Sequence, residues 1–202
     1  SNNELKTDAE TLASHIALAK ATNEYDLRRV ITFHGLVKGA KNFAEDHKKV
    51  NEWMHGSGQS TKEIYAEHVS GDMSSSERNT RINRLKNLSE GERRILSNAR
   101  CLSEGVDVPT LDGIAFIDPR QSQVDIIQAV GRAIRKSKNK TFGTIVIPVY
   151  LSEISENIND QLLASKFSGV WKIILALKSQ DDSLMECIDK LRIQKGREGR
   201  IS

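Results

Sequence analysis

Short apolar runs alternating with amphipathic helical stretches predict an α/β fold whose sheet is mainly parallel and covered on both faces. Three observations carry that expectation. Strand-like runs recur at Val30–Phe33, Glu63–Val69, Arg94–Ser97, Gly113–Asp118 and Thr144–Tyr150. Stretches with helical periodicity separate them. From Ser155 onward the pattern is helical only. The organisation expected is an N-terminal helix over residues 1–27, a sheet-bearing lobe over 28–152, and a helical C-terminal segment over 153–202.

Taken in order, Thr11–Asp26 reads as an amphipathic helix leading into the strand Val30–Phe33. Val37–Met54 has helical spacing through Ala40, Phe43, Ala44, Val50 and Trp53, and Trp53 and Trp171 are expected as packing anchors. In Glu63–Val69, Ile64, Ala66 and His68 alternate with Tyr65 and Val69, as in a strand. Gly71 breaks it, and Ser74-Ser75-Ser76-Glu77 opens a helix to Leu88 with capping chemistry. Helical stripes follow at Ile158, Leu162 and Leu163, at Val170, Ile174 and Leu177, and at Leu184, Ile188 and Leu191, with Asp181-Asp182 suited to a helix N-terminus. The basic tail Lys190, Arg192, Lys195, Arg197 and Arg200 reads as a solvated terminus, with a DNA-contacting arm as the alternative.

Composition bounds the function classes. The 202 residues suffice for one α/β domain with an appendage, and 38% hydrophobic with 28% charged residues is ordinary for a globular chain. No apolar run approaches ~18 residues and no signal-peptide pattern is visible, so a soluble cytoplasmic protein is expected, without a membrane partner. Cys101 and Cys187 are too few and too distant for a disulfide framework or a metal site; no metal ligand set is expected, and reduced, packed thiols are. His34 and His68 read as strand-end or partly buried histidines, and His15, His47 and His55 as scattered residues that form no ligand cluster. A net charge of +3 neither demands nor excludes nucleic acid.

Two segments carry chemistry. In Gln128–Arg135, at ~3.6 residues per turn, Gln128, Arg132 and Arg135 share one helix stripe while Ile126, Ile127, Val130 and Ile134 cover the opposite side. Gly131 leaves room beside the arginines for close approach. Two permanently charged forks with an amide between them suit a polyphosphate whose charge shifts during reaction. Taken alone, the segment could also be an exposed helix with ordinary surface arginines. Upstream, Arg94–Ser97 ends a strand, and Gly105, Asp107 and Pro109 form a turn that sets a carboxylate just outside a buried element. Such a carboxylate can accept hydrogen bonds from a ribose, and the Gly105 backbone can approach a ligand. The order and separation of the two segments give them weight together.

Ser103–Pro109 and Gln128–Arg135 closely resemble motifs V and VI of the superfamily-two helicases, and Val30–His34 resembles their motif IV. The resemblance spans roughly Asp26–Tyr150 with the motifs in order. Within that superfamily, the wording of Asn98–Asp107 and Phe116–Arg120 looks most like bacterial helicase-like proteins of restriction and phage-defence type. The resemblance implies a RecA-like three-layer lobe followed by a helical segment. It implies that Arg132, Arg135 and Gln128 act on the γ-phosphate of ATP, while Gly105, Asp107 and Gly131 line the nucleotide. It implies that the strand-end loops carrying Thr32, His34 and Gly35, Ser70 and Gly71, and Ser97, Asn98 and Arg100 face a nucleic-acid backbone. Ser97 stands where family members usually place Thr.

The sequence contains no Gly-x-x-x-x-Gly-Lys-Ser/Thr phosphate loop and no acidic box after an apolar strand. The expectation is therefore the second motor lobe of an ATP-dependent helicase or translocase. ATP and Mg2+ would be held mainly by a first RecA-like lobe, and this chain alone would not hydrolyse ATP. The restriction-type wording points to double-stranded DNA as the track. Two other classes stay open: a non-motor nucleotide-binding or regulatory module, and a partner-interaction domain acting through the helical C-terminal segment.

Overall fold

The structure, a computed structural model, describes residues 9–57, 63–99, 101, 111–119, 126–127, 129–131, 143–149 and 158–178. Its elements are α1 (Ala9–Glu24), β1 (Arg29–His34), α2 (Val37–Gly56), β2 (Tyr65–Ser70), α3 (Ser75–Lys86), β3 (Arg94–Ala99), β4 (Gly113–Asp118), β5 (Thr144–Val146), α4 (Ile158–Ala164) and α5 (Ser168–Lys178). Residues 126–127 and 129–131 are helical as well. The strands form one five-stranded sheet in the order β2-β3-β1-β4-β5, and each neighbouring pair is parallel. The expected parallel sheet is what folds.

Each strand splits its side chains between two apolar layers, as the two-residue period requires. Ile31, Phe33, Leu96, Ile114 and Phe116 point into a layer closed by Ile82 and Leu85 of α3, by Ile126, Ala129 and Val130, and by Leu162, Phe167, Val170, Ile173 and Ile174 of α4 and α5. Val30, Ile95, Ala115 and Ile117 point the other way, against Leu18 of α1 and Phe43 of α2. The fold thus has three layers. The C-terminal helices belong to the first apolar layer, so α4 and α5 share the core of the lobe.

Local signals explain the boundaries. Ser74 caps α3 by accepting from the Glu77 N–H at 3.2 Å, while the Glu77 carboxylate accepts from the Ser74 N–H at 3.2 Å. This reciprocal box is the expected one. At the amino ends of the strands, Asp112 accepts from the backbone N–H groups of Arg28 (3.1 Å) and Arg29 (2.7 Å), which ties the start of β1 to the approach to β4. Arg94 pairs with Glu67 at 2.7 Å and with Glu92, and the buried Arg93 pairs with Asp26, whose φ of 50° lies in the left-handed region that Asp tolerates. Cations at this edge are therefore tied to acids within the fold.

Three expectations need correction. Trp53 is 54% exposed and anchors no core; the buried stripe of α2 runs through Phe43, His47, Val50 and Met54, so the helix turns its 54 position inward instead of 53. Ile127 is 50% exposed, because Ile126, Ala129 and Val130 fix the inward face of that helix and residue 127 lies about 100° away from 126. The run Thr144–Tyr150 is shorter as a strand, pairing only over Thr144–Val146. The expected helix near Asp181-Asp182, Cys187 and the basic tail lie outside the described residues.

A further contact joins residues far apart in sequence. His15 of α1 and His47 of α2 are fully buried with their Nδ1 atoms 3.1 Å apart, and Phe43 stacks on His15 with ring centroids 4.0 Å apart. His34 at the end of β1 packs on the same Phe43 at 5.0 Å. Burial pushes His15 down to about 4 and His34 and His47 to about 3, from an ordinary 6.5; Asp46 opposes the shift at His15, and the charge of Lys166 adds to it at His34. All three rings are neutral in the folded lobe near pH 7. The unfolded chain takes up protons on them below pH 6.5, and the folded chain does not. Their contribution is whole above that value and is lost as pH falls toward the folded values. We expect the unfolding free energy measured in urea to drop between pH 7 and pH 5, by up to about 2 kcal/mol per ring. His47→Gln should flatten this slope, and a profile level from pH 7 to 5 would contradict the account.

Candidate nucleic-acid interface

Because all the strands are parallel, their carboxyl ends meet at one edge of the sheet, where loops can converge on a ligand. The register places Thr32 beside Ser97, Ser70 beside Ala99, and His34 beside Asp118. Thr32, His34, Gly35, Ser70, Gly71, Ser97 and Asn98, read from the sequence as one surface, are thereby gathered at one edge. Gly131 lies on the helical stretch over the first apolar layer and is exposed. Arg100, Gly105, Asp107, Gln128, Arg132 and Arg135 lie outside the described residues.

The gathered residues divide by depth. Thr32 and Ser97 are 0% exposed, and His34, Ser70 and Asn98 are 2% exposed. The side chains of Thr32, His34, Ser97 and Asn98 are engaged inside. The Thr32 hydroxyl donates to Ser97 Oγ at 2.9 Å, and His34 Nε2 lies 2.9 Å from Thr32 Oγ1. Asn98 Oδ1 accepts from the Cys101 N–H at 3.2 Å and from its thiol at 3.1 Å, shaping the turn after β3. Burial pushes the Cys101 thiol up to about 11, so it stays protonated and poorly nucleophilic. What these strands offer outward is backbone at their ends.

The two helix starts at this edge differ. The N-terminus of α3 is occupied by its own Glu77 carboxylate within the capping box. That of α2 has Leu36 as its cap residue, with no side-chain cap hydrogen bond, and Leu36 is 51% exposed. First-turn amides of α2 are thus free of side-chain competition, and an anion placed at Gly35–Lys38 would meet N–H groups and the positive end of a 20-residue helix. Sequence reading singled out the Gly35 loop, but the difference between an open and a self-capped helix start became visible only in the folded geometry.

Other features fall outside this surface. An open groove of about 540 Å3 between α2, β2 and α3 is lined by Glu45, Lys48, Lys49, Glu67, His68 and Arg81, and none of the described site residues lines it. There Arg81 donates to the His68 carbonyl at 2.6 Å, and burial, followed by the positive charge of Arg81, lowers the His68 pKa. Lys166, in the turn between α4 and α5, pairs with Glu10 of α1 at 3.4 Å. Among the described residues, no group of three or more His, Cys, Asp or Glu converges as a metal site, and no helix is long and apolar enough to cross a membrane.

Comparison with known proteins gives the arrangement a setting. Residues 15–137 match the model of the helicase conserved C-terminal domain. A "Probable helicase" of African swine fever virus is 37% identical over 92 residues, covering 46% of this chain and 10% of that protein. The UvrABC system protein B of Treponema pallidum is 28% identical over 164 residues, covering 78% of this chain and 21% of its own length. Among solved structures, the ATP-dependent Type ISP restriction-modification enzyme LlaBIII bound to DNA is similar with a TM-score of 0.72 and 28% identity, over 93% of this chain and 13% of that one. The chain thus spans about a tenth to a fifth of the length of these relatives.

The exposed helical position of Gly131 yields a direct check. A Cβ built there meets nothing within 4 Å among the described residues. Gly131→Ala should therefore leave the isolated lobe folded and raise its stability by up to about 1 kcal/mol of helix propensity, seen as a higher thermal midpoint. A lowered midpoint would show that the space beside this residue is filled.

Proposed function

The chain belongs to the helicase conserved C-terminal domain family and is the C-terminal RecA-like lobe of a superfamily-two helicase; from that premise we propose that it serves as the second motor lobe of an ATP-dependent translocase or helicase acting on double-stranded DNA. The observation that carries the reading is the convergence of the β1, β2 and β3 ends on one edge, with an uncapped helix start in their midst, inside a lobe that matches the family over residues 15–137. Backbone amides at such an edge hold phosphates without regard to base sequence, which is what a motor moving along a track requires.

In this reading the Gly35–Lys38 amides, Gly71 and the turn after Asn98, with Arg100, grip the backbone of one strand. Gln128, Arg132 and Arg135 face the nucleotide, with Gly131 allowing close approach and Gly105 and Asp107 at the ribose. The phase of the described helical residues supports this. Ile126, Ala129 and Val130 face the core and Gly131 faces outward, on the side where helical periodicity puts the two arginines. A first lobe carrying the phosphate loop would hold ATP and Mg2+. Closure of the two lobes would bring Arg132 and Arg135 against the terminal phosphate, where their fixed charges stabilise the charge that develops as it leaves. Repeated closure and opening moves the gripping loops of one lobe relative to the other. The track is proposed as DNA because LlaBIII, similar over nearly the whole chain, is bound to DNA. A role in restriction is proposed from the same likeness, and phage defence and a cytoplasmic location from the sequence reading.

Arg135→Ala in the intact protein that carries this lobe should lower nucleic-acid-stimulated ATP hydrolysis by on the order of 10³-fold, while the lobe keeps its thermal midpoint. Comparing duplex DNA, single-stranded DNA and RNA as stimulants checks the track. Normal turnover in the variant would remove the proposed role of the arginine, and stimulation by RNA alone would remove double-stranded DNA.

A further inference from the structure

We propose that Thr32, His34 and Ser97 form a buried positioning strap that fixes the spacing between the loops after β1 and β3, and so sets the lobe's affinity for a nucleic-acid backbone. The inference rests on the carboxyl edge being the phosphate-contact surface described above, and it assigns these three side chains a role they exert without touching the ligand.

The strap is directional. The Thr32 hydroxyl donates its one proton to Ser97 Oγ at 2.9 Å, so its oxygen accepts from His34 Nε2–H, also at 2.9 Å. His34 is a neutral ring, pushed down to about 3 by burial, and it is held in place by Phe43 at 5.0 Å. Thr32 and Ser97 are register partners across the β1–β3 pairing. Each stands immediately before a gripping element: His34 precedes Gly35 and the open start of α2, and Ser97 precedes Asn98, whose Oδ1 holds the next turn. One continuous chain of side chains therefore joins the roots of both loops.

Position argues against mere filling. Lower in the same layer the β1–β3 partners are Val30 and Ile95, both apolar and buried. The change to polar residues occurs only in the last residues before the loops. A buried hydroxyl or imidazole costs ~1–3 kcal/mol if left without a partner, whereas a valine would fill a threonine site with no such liability. The polar choice supplies what apolar contacts lack, a fixed direction and length. All three side chains are at most 2% exposed, so their influence on a ligand passes through the backbone they hold.

The test uses the intact protein, with duplex DNA as the probe. For Thr32→Val and Ser97→Ala we expect the DNA concentration for half-maximal ATPase stimulation to rise about 3–10-fold, as loss of one net hydrogen bond implies. Turnover at saturating DNA and the KM for ATP should stay within about twofold, because the nucleotide side is untouched. Thr32→Ser, which keeps the hydroxyl, should restore the unsubstituted value, and the double variant should lose less than the product of the two single losses. Ser97→Ala removes one small group and keeps a residue suited to the site, so the comparison survives if Thr32→Val folds poorly. A half-maximal concentration unchanged in a folded variant, even one with a lowered thermal midpoint, would overturn the strap while leaving the motor reading intact. An unsubstituted protein whose ATPase ignores nucleic acid would overturn both.

Discussion

Parallel strands must each be entered from the same end, so every connection in this sheet has to travel back across one of its faces. With β2, β3, β1, β4 and β5 all paired this way, those return paths cover both faces with helices. The coverage makes the strands apolar on both sides and leaves the sheet only its two ends on which to present polar chemistry. The amino end is consumed by structure: Asp112 holds the start of β1, and Arg93 and Arg94 are tied to Asp26, Glu67 and Glu92. The carboxyl end carries small polar residues, glycines and a helix start with no side-chain cap among the described residues. The location of the proposed interface is thus a consequence of pairing direction before any individual contact is considered.

The elements were legible because their signals are local. Ser74 and Glu77 sit three residues apart and announce a helix start that the folded geometry reproduces atom for atom. Arg94–Ser97 and Gly113–Asp118 were visible as short apolar runs, because strands covered on both faces are buried along nearly their whole length. Trp53 was misjudged because helical periodicity allows a step of either three or four from Val50, and only the packing of Met54 against Val50 and Ala19 decides which. Contacts set by tertiary folding left no trace in the chain. His15 and His47 are 32 residues apart with no motif between them, and nothing in either neighbourhood foretells that their Nδ1 atoms meet. The candidate site was legible in part: the strand-end residues are gathered at one edge, but their division into inward side chains and outward backbone depends on the pleat of strands paired far along the sequence.

The interior polar residues show where the lobe departs from the rule that cores are apolar. The α1–α2 side of the sheet holds His15, His34, His47, Thr32 and Ser97, all nearly or wholly removed from water. The Thr32 and Ser97 hydroxyls partner each other, but among the described residues the Thr22 hydroxyl and the Nε2 atoms of His15 and His47 have no hydrogen-bond partner. An unpartnered ring nitrogen is tolerable only while the ring is uncharged, and this links the acid response of the lobe to the same layer that sets the loop spacing. The opposite face, with Phe33 and Phe116 stacked at 5.5 Å, is mainly apolar, with Asn98 as its buried polar residue near the strand ends.

The C-terminal helices bear on what counts as the smallest viable unit of this lobe. The family match ends at residue 137, yet Leu162, Phe167, Val170, Ile173 and Ile174 close the layer over Phe33, Leu96 and Phe116. A polypeptide trimmed to the matched span would present that greasy surface to solvent, and sticky surfaces of this kind drive self-association. Expression limits drawn from motif matching would thus cut through the hydrophobic interior; limits drawn from packing run at least to Lys178.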